Sequence, residues 1–400
     1  MNVIFVYYSN PYRKSGGVSV SSCVMIEEFS RRGINCYAAY RYGANCDREH
    51  PNLYGELILP NDNIDHKDNI IALAKFIANH KIDLIINQGG AFGKVTRLCT
   101  CVKAKTEVKL FSVVHCDPKE YLLNAISPIK TPLICKGIMP VLERLFRIAL
   151  LPFLYARAYL KSRRFFLLAY RKSEAVICLS EANVKTFLAI TGIRGKGSKL
   201  HAIANSLEYI PSDKEIFNLN KVKNVIFVGR LQNSIKRIDL LLQVWRRVQG
   251  SLPGWVLHIL GEGRDGKVLH SMALSLGLEN VHFVGHVNPR GYLEKASILC
   301  MTSLSEGFPR VLIEAQAYGV VPIAYKSFSA VHDIIDDGKT GILVTPFSIE
   351  EYARKLVDLA NDETKRRQIA LRAWIKSNDY ASSNIGDRWM ELLAKNGLPV

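Results

Sequence analysis

Short apolar runs alternate with helix-length segments through the first half of the chain. The runs are rich in Val, Ile, Phe and Tyr, which is typical of buried strands. Strands separated by helices indicate βαβ units and a parallel sheet that is covered by helices. The pattern predicts strands at Val3–Tyr8, Asn35–Tyr40, Asp83–Asn87, Lys109–His115 and Ala175–Leu179, with helices at Val20–Arg32 and Ile70–His80.

A polar segment, 211–221, interrupts this pattern and is the predicted linker between two domains. The chain has 400 residues, more than the size at which a single core usually continues to grow. We therefore predict an α/β fold of two Rossmann-like domains, 1–210 and 222–383, with parallel sheets that face each other across a cleft. The second series of strands is predicted at Val225–Val228, Val256–Leu260, Val281–Val284, Ile298–Thr302 and Val321–Ala324.

Two glutamates eight positions apart, Glu306 and Glu314, follow the fourth strand of this second series. Glu306 and Gly307 would occupy the turn between that strand and a helix that begins near Pro309. Open α/β sheets bind ligands at such turns, and a helix N-terminus attracts anions. Glu314 would be partly buried and would need a hydroxyl or amide partner. The segment predicts a site for a ligand with phosphate and hydroxyl groups; a surface helix with two solvated glutamates is the alternative.

Two cations, Arg230 and Lys236, follow the first strand of the second series, beside Gly229. A transferase that splits a sugar–diphosphate bond must stabilise the negative charge that grows on the leaving phosphate. Fixed cations in a water-poor cleft do this efficiently. A loop whose basic side chains are only solvated is the alternative, and the role of the neighbouring Arg237 stays open.

With these motifs the chain resembles glycosyltransferase family four, which contains retaining sugar-nucleotide enzymes of the GT-B fold. The resemblance covers most of the chain, strongly from Asn205 to about Val344. It implies the GT-B fold, in which a C-terminal helix, here 384–400, crosses back to the first domain. The residues that carry it are Gly229, Arg230, Leu231 and Lys236, then Glu306, Gly307, Phe308, Pro309, Glu314, Ala315, Ala317, Gly319 and Pro322.

The resemblance also implies roles for individual residues. Arg230 and Lys236 would take the phosphate charges, Glu306 would contact the donor-sugar hydroxyls, and His115 would lie beside the donor sugar. Without this context a lone histidine is more often structural, and glycines after strands are often simple turns. The implied donor-binding residues are Gly16, Gly17, Gly229, Gly261, Gly263, His286, Val287, Gly307, Phe308, Val311, Leu312 and Glu314, and the acceptor-side candidates are Asn87, Gln88 and Gly89.

The net charge of +17 is concentrated in the first half of the chain, and ten basic residues stand against one acidic residue between Lys130 and Lys172. A basic excess is typical of proteins that bind nucleic acid or anionic membranes. Because no nucleic-acid-binding motif accompanies it, nucleic acid is disfavoured.

Helical spacing from Leu154 to Lys172 predicts two opposed stripes along one helix. An aromatic stripe that packs inward and a solvated basic stripe are one interpretation. A basic face that docks on an anionic membrane is the other, and the two are compatible. The predicted aromatic stripe contains Tyr155, Tyr159, Phe166 and Tyr170, and the basic stripe contains Arg157, Lys161, Arg164 and Arg171.

Nine cysteines without a Cys-x-x-Cys motif favour reduced thiols of a cytosolic protein. The chain shows no leader-peptide pattern after Met1, and the apolar run from Ile148 to Ala156, which Pro152 interrupts, is too short to span a bilayer. The absence of an Asp-x-Asp motif and of a His/Cys cluster predicts that no metal is needed. We therefore expect no cofactor, the nucleotide sugar being a substrate.

Together these features predict a metal-independent, retaining hexosyltransferase that is cytoplasmic and peripheral on the inner face of the cell membrane. It would move a sugar from a nucleotide diphosphate, with UDP expected, to a glycan or lipid-linked glycan in bacterial surface polysaccharide or lipopolysaccharide synthesis. The alternatives are a GT-B enzyme of other chemistry, such as a sugar-nucleotide epimerase, and a non-catalytic glycan- or lipid-binding module. A basic membrane face argues against a soluble epimerase, and the retained cations and glutamates argue against a binding module.

Overall fold

The chain folds into two compact units. The first contains Met1–Tyr121, Phe153–Glu208 and Tyr380–Val400, and the second contains Tyr209–Asp379. The described residues between Leu122 and Pro152 group with the second unit, so the first unit is not the uninterrupted 1–210 segment expected from the sequence. This computed structural model describes residues 1–9, 17–41, 52–124, 145–146, 148–194, 199–218 and 220–399.

A parallel sheet of seven strands forms the first unit. Its central strands are buried almost throughout, which explains why they are continuous apolar runs instead of alternating ones. Its elements are β1 (Asn2–Val6), α1 (Gly17–Arg31), β2 (Asn35–Tyr40), β3 (Leu53–Ile58), α2 (Lys67–Asn79), β4 (Leu84–Asn87), α3 (Gly93–Lys103), β5 (Lys109–Val114), α4 (Leu151–Lys172), β6 (Ala175–Cys178), α5 (Glu181–Thr191) and β7 (Leu200–Ala202).

The second unit contains a parallel sheet of six strands. Trp245, Tyr325 and Tyr352 are the largest fully buried side chains of its core. Its elements are α6 (Asp213–Asn218), β8 (Asn224–Val228), α7 (Asn233–Lys236), α8 (Ile238–Val248), β9 (Val256–Leu260), α9 (Gly266–Ser275), β10 (Val281–Gly285), α10 (Arg290–Lys295), β11 (Ile298–Met301), α11 (Arg310–Ala317), β12 (Val321–Tyr325), α12 (Val331–Ile334), β13 (Ile342–Val344), α13 (Ile349–Asn361) and α14 (Glu363–Ser377).

Both sheets follow the same strand order through their first six strands. The orders are β3-β2-β1-β4-β5-β6-β7 and β10-β9-β8-β11-β12-β13. In each sheet the chain moves outward from the centre, returns, and then moves outward on the other side. The connections therefore diverge between β1 and β4 in the first unit, and between β8 and β11 in the second. Such a switch point leaves a crevice at the carboxyl ends of the strands, which is where open α/β sheets bind ligands.

The last helix, α15 (Ser382–Lys395), packs on α1 of the first unit. The Trp389 ring meets the Phe29 ring edge-on at 5.9 Å between centroids. Arg32 Nη1 lies 2.7 Å from the Asp387 carboxylate. A Cβ added to Gly386 would come within 2.7 Å of the Arg32 side chain, so this glycine allows the two helices to approach closely.

The predicted stripes of α4 are only partly as expected. Phe166 is fully buried and its ring lies 4.9 Å from that of Phe187. Tyr155, by contrast, is 44% exposed, since the buried residues of this face, Ser162, Phe166 and Ala169, all lie in the second half of the helix. The basic residues Arg157, Lys161, Arg164 and Arg171 are all exposed, as predicted.

The structure also contains elements that the apolar pattern did not predict. Strand β3 lies at the edge of its sheet and alternates half-buried with exposed residues. Helix α3 separates β4 from β5. The predicted linker, 211–221, contains the short helix α6. Trp374 Nε1 donates to the Pro211 carbonyl at 3.0 Å, so the start of this segment is anchored to the second unit.

Candidate active site

The switch point of the second unit brings the ends of β8 and β11 side by side. Helix α7 follows β8, and Thr302 Oγ1 at the end of β11 donates to the Lys236 carbonyl at 3.0 Å. The Leu304 amide donates to the Ile235 carbonyl at 2.7 Å. The two loops are therefore fastened together by backbone and hydroxyl contacts.

The first charged pair of the site joins these loops. Lys236 Nζ lies 2.6 Å from Glu306 Oε1, and the side chains are 21% and 14% exposed. The sequence-predicted cation and glutamate, 70 positions apart, are thus in direct contact. The arrangement holds an ammonium group at the mouth of the crevice, with a carboxylate that balances its charge.

Arg237, whose role the sequence left open, is a structural residue. Its guanidinium donates to both oxygens of Asp239 at 3.0 and 3.1 Å, and both residues are buried. Its backbone has φ 49°, which turns the chain from α7 into α8. The side chain is therefore committed to the interior, whereas Arg230, at the end of β8, is exposed.

The second charged pair lies in the helix that follows Glu306. Arg310 Nη2 is 3.2 Å from Glu314 Oε1, with side-chain exposures of 9% and 26%. The hydroxyl or amide partner expected for Glu314 is thus a guanidinium in this structure. Sequence reasoning missed Arg310, although the four-residue spacing of an Arg and a Glu on one helix is a recognisable signal.

The predicted glycines of the second unit allow three loops to touch. A Cβ on Gly261 would lie 1.9 Å from the Gly229 carbonyl oxygen, and one on Gly263 would lie 2.5 Å from that of Leu231. Gly261 has φ 139°, which side chains disfavour. Its amide donates to the Gly285 carbonyl at 2.8 Å, so the ends of β8, β9 and β10 are joined through backbone.

The remaining donor-side candidates differ in how they can act. His286 and Val287 are exposed after β10, and the His286 amide donates to Glu262 Oε1 at 3.3 Å. Glu262 is thus a loop-bridging residue absent from the predicted set. Further candidates are half-buried (Gly307 and Val311) or buried (Phe308, 6% exposed, and Leu312, 0%). The buried side chains of the last two support the turn from within.

In the first unit, Gly17 begins α1 at the amino end of the helix. A Cβ added there would have no heavy-atom neighbour within 4 Å among the residues that the structure describes. The other predicted glycine of this loop, Gly16, lies outside the described residues.

The acceptor-side candidates follow β4 and differ in role. Asn87 is fully buried and its amide donates to Thr96 and Ser112 at 3.1 Å each, so it ties strands and α3 together. Gly89 packs against Val95. The Asn87 side chain is therefore committed to the fold, and Gly89 allows the loop to approach α3 closely.

Gln88, by contrast, meets the predicted active-site histidine. Its Oε1 contacts His115 Nε2, and the glutamine is 5% exposed. Burial lowers the pKa of His115 to about 4, so the imidazole is neutral near pH 7. Its ring also lines a small cavity with Asn205, Ser206 and Trp389.

The described residues show neither a membrane-spanning helix nor a metal cluster. No described helix is long and apolar enough to cross a membrane. No group of three or more His, Cys, Asp or Glu side chains among the described residues is placed to hold a metal ion.

Residues 210–373 match the family model for glycosyl transferases group 1. This segment contains Lys236, Glu306 and Glu314. The chain is 30% identical over 230 residues to an uncharacterized glycosyltransferase of Haemophilus influenzae, covering 56% of this chain and 63% of that protein. It is also 30% identical over 179 residues to a Campylobacter jejuni protein, covering 44% of this chain and 50% of that one. The latter is named as an α-1,4-N-acetylgalactosaminyltransferase acting on an undecaprenol-linked glycan.

Solved structures are similar to nearly the whole chain. The crystal structure of Anabaena HepE in complex with UDP-glucose aligns with a TM-score of 0.72 at 19% identity, covering 99% of this chain and 100% of that one. At this identity the likeness shows the fold. The expected fold class is confirmed: the chain has the GT-B fold, with two Rossmann-like parallel-sheet domains.

The close contact at Gly261 predicts a stability effect. Gly261→Ala would force a methyl group against the Gly229 carbonyl and strain the backbone, so we expect a loss of more than about 2 kcal/mol in the second unit. Gly250→Ala is the control, because a Cβ there meets nothing within 4 Å. Chemical denaturation measures the free energy of unfolding of both variants. If Gly261→Ala is as stable as the wild-type protein, the packing described here is wrong.

Proposed function

We propose that this protein is a retaining glycosyltransferase that moves a sugar from a UDP-sugar to a glycan acceptor. The observation that carries the proposal is the clustering of Lys236, Glu306, Arg310 and Glu314 at the switch point of the second unit. These residues lie inside the segment that matches the glycosyl transferases group 1 model. The UDP complex of HepE supports UDP as the nucleotide, and the Campylobacter relative supports a lipid-linked glycan as the acceptor of this chain.

The reaction would break the bond between the sugar C1 and the phosphate oxygen and form one from C1 to the acceptor oxygen on the same face. The acceptor proton would pass to the departing phosphate oxygen. Lys236 and the exposed Arg230 would stabilise the charge on that phosphate. An incoming phosphate would share the Lys236 ammonium with Glu306, and the Glu306 carboxylate would turn toward the donor-sugar hydroxyls.

The direct test of the proposal is a screen of nucleotide sugars for nucleotide release and for thermal stabilisation. Release of UDP from one UDP-sugar, with the α-linkage of the donor kept in the product, is expected. If no UDP-sugar is turned over and none stabilises the protein, the proposal is wrong.

Helix α4 supports a further part of the proposal, namely peripheral attachment to an anionic membrane on the cytoplasmic side. Its exposed basic residues share one face with two exposed apolar side chains, Phe153 (64%) and Leu160 (62%), at helical spacing. Basic residues attract acidic headgroups, while apolar side chains of such a face enter the lipid boundary. Attachment there would bring the enzyme to a lipid-linked acceptor.

Replacing Lys236 tests the phosphate role. Lys236→Ala should lower turnover at least about 100-fold, because a fixed charge on the leaving group is removed. Lys267→Ala, at an exposed lysine of α9, is the matched control and should keep normal turnover. Steady-state kinetics at saturating donor measures the turnover of both variants, and circular dichroism checks that both are folded. Normal turnover in folded Lys236→Ala would remove this residue from the mechanism.

The two glutamates should separate in their effects. Glu314→Gln should mainly weaken nucleotide binding, since its expected partner is the ribose, and Glu306→Gln should mainly lower turnover. Calorimetry with UDP and kinetics with the donor measure the two effects. Glu363→Gln is the control, because Glu363 pairs with Arg367 at the same helical spacing on α14. Unchanged UDP affinity for Glu314→Gln with a large loss for Glu306→Gln would invert the assignment.

Chelation tests the source of leaving-group stabilisation. Since Arg230 and Lys236 supply the positive charge in this proposal, turnover should survive incubation with excess EDTA. The same sample with added Mg²⁺ or Mn²⁺ is the comparison. Loss of turnover in EDTA that either metal restores would show that a divalent ion takes part.

Charge reversal on α4 tests membrane attachment. Lys161 is left in place, because its ammonium lies 5.6 Å from the Tyr121 ring centroid and 5.9 Å from that of Phe165. Changing Arg157, Arg164 and Arg171 to Glu should weaken binding to acidic vesicles by about 3 kcal/mol or more at low salt. Turnover on a soluble acceptor should persist. Vesicle sedimentation measures the binding.

The matched control for charge reversal changes Arg246, Lys339 and Lys395, which are exposed elsewhere, to Glu. It alters the net charge equally but should bind vesicles far better than the α4 variant. Equal binding by the two variants would mean that α4 is only a solvated face.

A further inference from the structure

The contact between Gln88 and His115 has a direction that chemistry fixes. Gln88 Oε1 can only accept a hydrogen bond, so the His115 Nε2 that meets it must donate. A neutral imidazole with its proton on Nε2 has Nδ1 free of a proton, as an acceptor. The hydrogen bond therefore selects one tautomer of the histidine.

The nitrogen end of the Gln88 side chain contributes no hydrogen bond to the fold among the described residues. This Nε2 atom is buried. A buried amide donor without a partner is destabilising, whereas an apolar side chain of similar size would avoid that cost. The useful contact of Gln88 is the one with the histidine.

Neighbouring residues do not replace this contact. Asn87 uses its amide on Thr96 and Ser112, and its Oδ1 accepts from the Gly89 amide at 2.9 Å. Among the described residues that line the cavity beside His115, no other side chain is ionisable; the polar ones are Ser21, Ser22, Asn205 and Ser206. Gln88 is thus the partner whose side chain is shown to meet the imidazole.

We propose that Gln88 is a positioning residue that holds His115 as the neutral tautomer with the proton on Nε2, and so presents Nδ1 as a hydrogen-bond acceptor to the reacting sugars. This inference rests on the proposed function for the identity of the ligand. It replaces the direct acceptor contact expected for Gln88 from the sequence with a role exerted through the histidine.

Nitrogen-15 NMR of histidine-labelled protein reads the tautomer directly. In the wild type we expect His115 to show a protonated Nε2 and an unprotonated Nδ1 across neutral pH, with the signal assigned by its loss in His115→Gln. Gln88→Leu should release the tautomer preference and lower nucleotide-sugar turnover by about tenfold or more, while the protein stays at least as stable. A proton on Nδ1 in the wild type would overturn the proposal.

Gln88→Glu is the conservative variant. Its carboxylate keeps an oxygen that can accept from the His115 Nε2–H group, so turnover near pH 8 should be retained. The negative charge, however, raises the pKa of His115. Turnover should therefore fall as the pH drops through that raised pKa, at a higher pH than in the wild type. A simple packing role for Gln88 would not move the pH profile, so an unshifted profile would overturn the proposal.

Gln316→Leu provides the matched control. Gln316 is a fully buried glutamine of the second unit whose amide donates to the Ile334 and Thr340 carbonyls. Its replacement should lower stability without changing the His115 spectrum. The spectrum can be recorded without a substrate. It therefore shows whether His115 Nε2 carries the proton even if no UDP-sugar is turned over. If Gln88→Leu shows the His115 spectrum and the turnover of the wild-type protein, the positioning role is wrong, while the proposed glycosyltransferase function is unaffected.

Discussion

The pairing of β8 with β11 is the constraint on which the candidate site depends. The two strands are far apart in sequence and share only a short register, Ile298 with Val225 and Leu299 with Ile226. Their adjacency places the loops after both strands at one edge of the sheet, and Thr302 then fixes the carbonyl of Lys236. A lysine and a glutamate that are otherwise unrelated become an ion pair because the sheet reverses its order there.

The sequence predicted those parts of the structure that follow from local pattern. Strands β2 and β9 have the predicted bounds, because each is paired on both sides within its sheet and consists mostly of apolar residues. Strand β3 was missed because an edge strand is half exposed and contains Gly55 and Glu56. The meeting of Gln88 with His115 could not be predicted, since it depends on the side-by-side placement of β4 and β5.

The charges of this basic chain fall into three environments with different consequences. Arg237 is neutralised by Asp239 in the interior and holds a turn. Lys236 is part-buried and paired with Glu306 at the end of the sheet. Arg157 and Arg164 are exposed on α4. Net charge alone therefore does not describe these residues, because burial and pairing set the environment of each cation.

The return of α15 to α1 makes the first unit discontinuous in sequence but continuous in space. The Leu207 amide donates to the Tyr380 carbonyl at 2.7 Å, and Leu207 also forms a parallel bridge with Ala381. The points where the chain leaves and re-enters the first unit are thus adjacent, so residues 209–379 form an insertion within it. A short peptide from Glu208 to Tyr380 could therefore close this gap, whereas the described residues between Leu122 and Pro152 connect the first unit to the second at a separate place in the chain.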